Sequence, residues 1–137
     1  MNNYLAALLA AFCFSALASE QQIDCSNAYT TIEINRCATM ELDSAHTTMT
    51  EYVAASIEQH VNDPALVKAI ESAQADWDTY LKSHCDAVYT LWRQGTIRGA
   101  MMIACKTRLT RQRTHDIWTS FLTNIGGESP VLPEPKK

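Results

Sequence analysis

Residues 85–105 read CDAVYTLWRQGTIRGAMMIAC, and this stretch places two cysteines at equal distances from one glycine. Cys85 lies ten residues before Gly95, and Cys105 lies ten residues after it. Apolar residues recur at helical steps of three and four on both sides of the glycine. An antiparallel helical hairpin that bends at Gly95 therefore brings both sulfurs to one level, where they can pair.

Sequence signals for helix starts predict that this hairpin is part of a three-helix bundle. Thr30 and Glu33 form a capping-box pattern that predicts the start of a first helix. Asp63 and Pro64 predict the start of a second, since aspartate favours the cap and proline the first helical turn. Thr96 is predicted to cap the third helix. No strand-like alternation appears, so the predicted fold class is all-α, a three-helix bundle stapled by two disulfides.

The two ends of the chain differ in composition from its middle. Residues 4–18 carry no charge and end in Ala16-Leu17-Ala18, which predicts a signal peptide over residues 1–18 with cleavage after Ala18. A retained anchor and lipid modification at Cys13 are the alternatives. Residues 19–125 are predicted to form one helical domain without an integral membrane segment. Residues 126–137 hold three prolines after a Gly-Gly pair and are predicted to be a disordered tail.

Four cysteines follow the predicted cleavage site, and an even number favours two disulfides in an oxidising compartment. Cys25 and Cys37 lie six residues on either side of the turn that opens the first helix, so the predicted bridges are Cys25–Cys37 and Cys85–Cys105. The rival pairing, Cys37–Cys85 with Cys25–Cys105, stays open because Cys37 and Cys85 are nearly equidistant from the second turn. A zinc site is a weaker alternative, since zinc ligands usually come in close pairs. No metal and no cofactor is predicted.

The charges are distributed unevenly along the chain, whose formal net charge is −4. The predicted first helix and its flanks are acidic, with Arg36 as the only base between Asp24 and Asp63, whereas the third helix is basic. The simpler interpretation is that the two helices lie side by side and complement each other through weak exposed pairs. The functional interpretation is that the acidic helix steers a cationic partner. The candidate partner-contact residues are Glu41, Asp43, Glu51 and Glu58.

Patterns for catalysis and for nucleic-acid binding are poor. The four histidines stand alone, without a nucleophile pattern, a Gly-rich loop or an H-E-x-x-H motif, so no enzyme and no catalytic residue is predicted. Nucleic acid would use Arg108, Arg111 and Arg113. No aromatic residues interleave with these arginines and the chain is acidic overall, so no nucleic-acid partner is predicted.

The second predicted helix carries the pattern Gln74-x-x-Trp77-x-x-Tyr80-x-x-x-x-Cys85. With Glu33-x-x-x-Cys37 before it and Cys105-x-x-x-Leu109-Thr110-x-x-Arg113 after it, the chain resembles the LprI-like lysozyme inhibitor family from about residue 25 to 122. The resemblance implies a secreted or periplasmic all-helical domain, sometimes lipid-anchored, and the named member inhibits animal-type lysozyme. The motif residues are expected to be structural, with Glu33 and Arg113 paired across the bundle.

Two departures from the family pattern concern polar residues. Leu81-Lys82 stands where relatives carry Arg-Asp, and Thr48-Met49-Thr50-Glu51-Tyr52 replaces the usual Leu-Asn-x-x-Tyr. The predicted function is an exported binding protein that inhibits lysozyme-type muramidases, with a cationic lysozyme as its protein partner. The alternative is a periplasmic interaction module, an envelope scaffold or an immunity protein, which has another partner and does not inhibit lysozyme.

Overall fold

Three long α-helices follow one another in the computed structural model, which describes residues 23–123 and 129–136. The helices are α1 (Thr31–Gln59), α2 (Pro64–Leu91) and α3 (Arg98–Ile117). A 3-10 turn at Cys25–Asn27 precedes α1, and a π-helical turn at Trp118–Leu122 extends α3. No strand occurs in the described part of the chain. The prediction of an all-α, three-helix fold is confirmed, while the predicted signal peptide lies outside the described residues.

Local hydrogen bonds explain where α1 and α2 begin. The Thr30 hydroxyl accepts the Glu33 backbone N–H at 3.2 Å, and the Glu33 carboxylate accepts the Thr30 backbone N–H at 3.0 Å. This is the predicted capping box, which satisfies two backbone donors at once. The Asp63 side chain likewise accepts the backbone N–H of Leu66 at 3.0 Å, with Pro64 in the first turn. Both predicted starts are confirmed.

The predicted start of α3 at Thr96 is wrong. Ile97 is the N-cap residue, and no side chain caps the helix. Thr96 lies within a turn in which the Arg98 backbone N–H donates to the Gly95 carbonyl, so its hydroxyl is not placed over the first helical turn. The Arg98 guanidinium instead lies 5.2 Å from the centre of the Tyr89 ring, a cation–π contact that joins the two sides of the hairpin.

Helix α3 lies at the centre of the bundle, because its backbone lies close to those of both other helices, whereas α1 and α2 meet through long side chains such as Gln74 against Met49. Small side chains allow this close packing on two sides. The buried residues of α3 are Cys105, Thr107, Leu109, Thr110, Thr114 and Ile117.

Two apolar clusters form the core. One joins α1 to the end of α3 through Met49, Tyr52, Ile117 and Leu122. The other joins α2 to α3 through Leu81, Cys85, Cys105 and Leu109. Trp77 packs against both clusters. The indole of this motif residue therefore connects the two halves of the core.

The disulfides are Cys25–Cys37 and Cys85–Cys105, with Cα–Cα distances of 5.7 and 5.8 Å. The local pairing predicted from the spacing is confirmed, and the rival pairing is excluded. The two bridges differ in environment. Cys85 is fully buried between α2 and α3, whereas Cys25 is exposed in the 3-10 turn that folds back on α1.

The predicted disordered tail spans residues 126–137, of which 126–128 and 137 lie outside the described residues. Residues 129–136 form no helix or strand. This segment lies against the bundle, where the Tyr52 hydroxyl donates to the Pro133 carbonyl at 2.7 Å and the Trp118 indole N–H donates to the Leu132 carbonyl at 2.9 Å. Prolines prevent a helix or a central strand. They do not prevent docking through carbonyl oxygens.

Removing each disulfide should have a different effect on stability. The double change Cys85→Ala with Cys105→Ala should lower the free energy of unfolding by about 4 kcal/mol, since it opens the chain constraint and leaves a gap in a buried cluster. Cys25→Ala with Cys37→Ala should lower it by about 2 kcal/mol, because only the constraint on an exposed turn is lost. Urea unfolding of both variants checks this, and an equal loss would contradict the assigned roles.

The capping box should make stability depend on pH. Hydrogen bonds from Thr30, the largest cause, hold the pKa of Glu33 below its ordinary value. The stabilisation is therefore present above the ordinary carboxyl pKa and is lost as pH falls through the lowered one. Glu33→Gln should melt below the wild type at pH 7, and this difference should shrink by pH 3. Thermal unfolding at both pH values measures it, and an unchanged difference would show that the carboxylate charge is not responsible.

Candidate functional site

Three of the four candidate contact residues share one face of α1. At about 100° of rotation per residue, Asp43, Glu51 and Glu58 project within a sector opposite the buried Ala45 and Met49. All three acids are exposed. They span fifteen helical positions, roughly 22 Å along the axis at 1.5 Å per residue. We call these three residues the acidic stripe.

Glu41 lies apart from the acidic stripe. Its carboxylate accepts a hydrogen bond from the Arg111 guanidinium of α3 at 2.8 Å. This pair is an example of the predicted charge complementation between the acidic first helix and the basic third helix, and an exposed pair of this kind contributes roughly 0–1 kcal/mol. A surface groove of about 640 Å³ runs beside the pair along α3. Glu41 therefore has a structural use that the stripe residues lack.

The charge of the acidic stripe is not neutralised by its own helix. No lysine or arginine occurs in α1 after Arg36. Within residues 23–123 and 129–136, the salt bridges are Lys82–Asp86, Arg111–Glu41 and His115–Glu134, and none includes a stripe residue. The outer face of α1 thus presents three carboxylates to solvent.

Two family-motif residues join α2 to α3 by a polar contact. The Arg113 guanidinium donates from Nε to the Gln74 side-chain oxygen at 3.1 Å. The Gln74 amide in turn donates to the Asp78 carboxylate at 3.3 Å. Arg113 is partly buried, and its Nη2 has no hydrogen-bond partner among the described residues. Gln74 thus provides the acceptor that a partly buried cation needs.

The expected pair between Glu33 and Arg113 is wrong. Glu33 is used locally in the capping box of α1, and Arg113 contacts Gln74 instead. Tyr80 also differs from the other motif residues, because its side chain is exposed on the surface of α2 and its ring lies 5.3 Å from that of His84. The motif residues therefore do not form one hydrogen-bonded network, although they recur at helical spacing in the sequence.

Sequence reasoning missed the groove in which residues 129–136 lie. Tyr52 and Trp118 form its donors, yet in the sequence they are indistinguishable from ordinary apolar core positions. Burial raises the pKa of the Tyr52 phenol, with a smaller contribution from Glu51, so the group remains a proton donor at neutral pH. The only sequence signal in the tail is its three prolines, and these predict disorder instead of a docked segment.

The histidines are dispersed over the bundle. His60 Nε2 lies 3.1 Å from the Phe121 carbonyl, His115 contacts Glu134, and His84 stacks on Tyr80, while His46 is exposed. In residues 23–123 and 129–136, no group of three or more histidine, cysteine or acidic side chains is placed to hold a metal ion. No helix in the same part of the chain has the length and apolar character needed to cross a bilayer.

Comparison with known proteins assigns the family. The family model described as lysozyme inhibitor LprI matches residues 24–117, which include both disulfides and the Gln74–Arg113 contact. The chain belongs to the LprI family. No curated protein and no solved structure matches it. The LprI match ends at the last residue of α3, so the π-helical turn and the docked tail lie beyond it.

Replacing Gln74 should destabilise the bundle more than its exposure suggests. Gln74→Ala removes the acceptor of a partly buried guanidinium, so we expect a loss of about 1–3 kcal/mol in the free energy of unfolding. Arg108→Ala, an exposed change on α3, is the control and should stay within about 0.5 kcal/mol. Urea unfolding gives both values. Equal effects would mean that the Gln74–Arg113 contact does not stabilise the bundle.

Proposed function

We propose that this protein is an exported inhibitor of lysozyme-type muramidases and that it engages its target through the acidic stripe. Membership of the LprI family supports an inhibitor that binds a protein. Two disulfides support export, since such bridges persist in oxidising compartments. The observation that favours the acidic stripe is its arrangement: three exposed carboxylates lie on one side of α1, and no lysine or arginine follows Arg36 in that helix.

The target is a basic protein. Animal lysozymes are strongly basic, and opposite surface charges accelerate association through long-range attraction. Asp43, Glu51 and Glu58 lie on the side of α1 that faces away from α3, so the basic side chains of α3 do not offset them. A cationic enzyme that approaches this side of α1 meets the three carboxylates, which extend over a length comparable to that of a small protein–protein interface.

Charge reversal of the stripe tests this proposal. The triple variant Asp43→Lys, Glu51→Lys and Glu58→Lys should slow association with a basic lysozyme at least tenfold at low ionic strength. Raising the salt to about 0.5 M should slow the wild type similarly, because the screening length falls well below its physiological value. Stopped-flow binding gives the rates, and a cell-wall lysis assay measures inhibition.

A matched control separates position from net charge. Glu71→Lys, Asp76→Lys and Asp116→Lys change the net charge by the same amount at exposed sites away from the stripe. This control should retain most of the association rate, and both variants should keep the far-ultraviolet spectrum of the wild type. Inhibition that is unaffected by the stripe variant and by salt would refute the assigned surface. Absence of binding to every lysozyme tested would refute the inhibitor function and favour the alternative, an interaction module for a different partner.

A further inference from the structure

The C-terminal segment lies in a groove between α1 and the end of α3. We call this the tail groove. An open space in it is lined on the bundle side by Ala45, Thr48, Tyr52, Arg111 and Thr114 and on the other side by residues 133–136, and Trp118 contacts the segment through its indole. The Trp118 indole N–H and the Tyr52 hydroxyl donate to two successive carbonyls, those of Leu132 and Pro133, at 2.9 and 2.7 Å. The walls therefore bind the main chain of the segment.

The chemistry of these contacts suits proline-containing segments. A proline has no backbone N–H but keeps its carbonyl acceptor, so a proline-rich segment offers acceptors and few donors. The tail groove supplies donors from an indole and a phenol, and aromatic-lined grooves are a recurrent way to bind extended proline-rich peptides. Three prolines occur in residues 129–136.

Three side-chain contacts add selectivity to the main-chain contacts. Leu132 packs against the apolar cluster that contains Tyr52 and Ile117. Pro135 is buried. The Glu134 carboxylate lies 3.1 Å from Nε2 of His115. An apolar anchor, a carboxylate contact and a proline site thus follow one another along the segment.

We propose that the tail groove is a binding site for a proline-containing, extended segment of a partner protein, with an acidic residue next to a proline, and that the chain's own tail is its resident ligand. The apolar contacts of the tail are those of Leu132 and of the buried Pro135, while Val131 is exposed, so release of the tail loses fewer apolar contacts than opening of a helix. Local opening needs little free energy where few apolar contacts are lost. The tail groove shares no residue with the acidic stripe, and this proposal does not rest on the function proposed above.

The chain's own tail competes with a foreign segment for the tail groove. A short connection to the end of α3 gives a tethered ligand an effective concentration of millimolar order. A foreign segment therefore binds when it matches the contacts better or when the tail is released. Leu132→Asp should release the tail in the full-length protein, because it places a charge against an apolar cluster.

The test is binding of a fluorescent peptide, SPVLPEPKK, which copies residues 129–137. Fluorescence polarisation should show at least tenfold tighter binding to the full-length Leu132→Asp variant than to the wild type. In that background, Tyr52→Phe and Trp118→Phe should each weaken binding at least threefold, because each keeps an aromatic ring and removes a donor. Tyr80→Phe, an exposed change on α2, is the control and should have no effect. A peptide with glutamine in place of the glutamate should also bind more weakly.

Hydrogen exchange on the wild type provides a second test. The Val131 N–H donates to the Leu122 carbonyl, so its exchange reports on tail release. It should exchange at least a hundredfold faster than the buried amides of α3. Exchange only at the rate of global unfolding would show that the tail is a permanent part of the core and would overturn the proposal.

Two further results would also overturn it. One is absence of peptide binding to a Leu132→Asp variant whose helical spectrum and melting remain cooperative. The other is a wild-type dimer in sedimentation velocity that Leu132→Asp dissociates, since the groove would then exchange tails between two copies of this chain instead of binding a partner's segment.

Discussion

The central position of α3 is the constraint on which the other packing depends. This helix contacts both α1 and α2, yet several of its buried positions are threonines that contribute little apolar area. Thr107 and Thr114 satisfy their hydroxyls on carbonyls one turn earlier, at 3.0 and 2.9 Å. The hydroxyl of the buried Thr110 has no hydrogen-bond partner among the described residues. Small side chains let helices approach closely, but they add little burial free energy. The Cys85–Cys105 bridge lies within the second apolar cluster and adds a covalent link between α2 and α3 there.

Because of this arrangement, the inner side of α1 contacts the rest of the bundle and its outer side contacts solvent. Its inner side supplies Ala45, Met49 and Tyr52 to the core, and its edge supplies Glu41 to Arg111. Its outer side is left to solvent, since neither α2 nor α3 covers it. The separation means that the charge of the stripe can be changed without removing a packing contact or an ion pair of the described residues.

The tail groove lies on a third side of the same helix, next to the Glu41–Arg111 pair. Its occupant is bound through carbonyls, one apolar anchor and one carboxylate. Such a segment is held more weakly than the helices, which the disulfides constrain and which bury both apolar clusters. The two proposed binding surfaces, the acidic stripe and the tail groove, thus lie on different sides of one helix.

Local sequence signals were sufficient for the elements of the fold. The capping box at Thr30 and Glu33, and the Asp63-Pro64 pair, predicted the starts of α1 and α2 because the atoms involved lie within one helical turn. The spacing of the cysteines about Gly95 predicted one bridge for a similar reason, since equal helix lengths set the level of both sulfurs. The motif residues also identified the family, and the uneven distribution of charge indicated which helix is acidic.

The relations between distant residues were decided by the tertiary structure alone. Excluding the rival disulfide pairing required the positions of three helices. Arg113 contacts Gln74 instead of Glu33 because the start of α1 lies level with Gly99, which contacts Asn35, whereas Arg113 follows fourteen residues later in α3, roughly 21 Å along its axis. Glu41 does not belong to the acidic stripe, because the orientation of α1 about its own axis relative to α3 determines which acidic side chain contacts Arg111. The tail was predicted to be disordered because its composition excludes regular structure. Its order comes from Tyr52 and Trp118, which donate hydrogen bonds across 81 and 14 residues of sequence, and only the folded chain brings such donors to successive carbonyls.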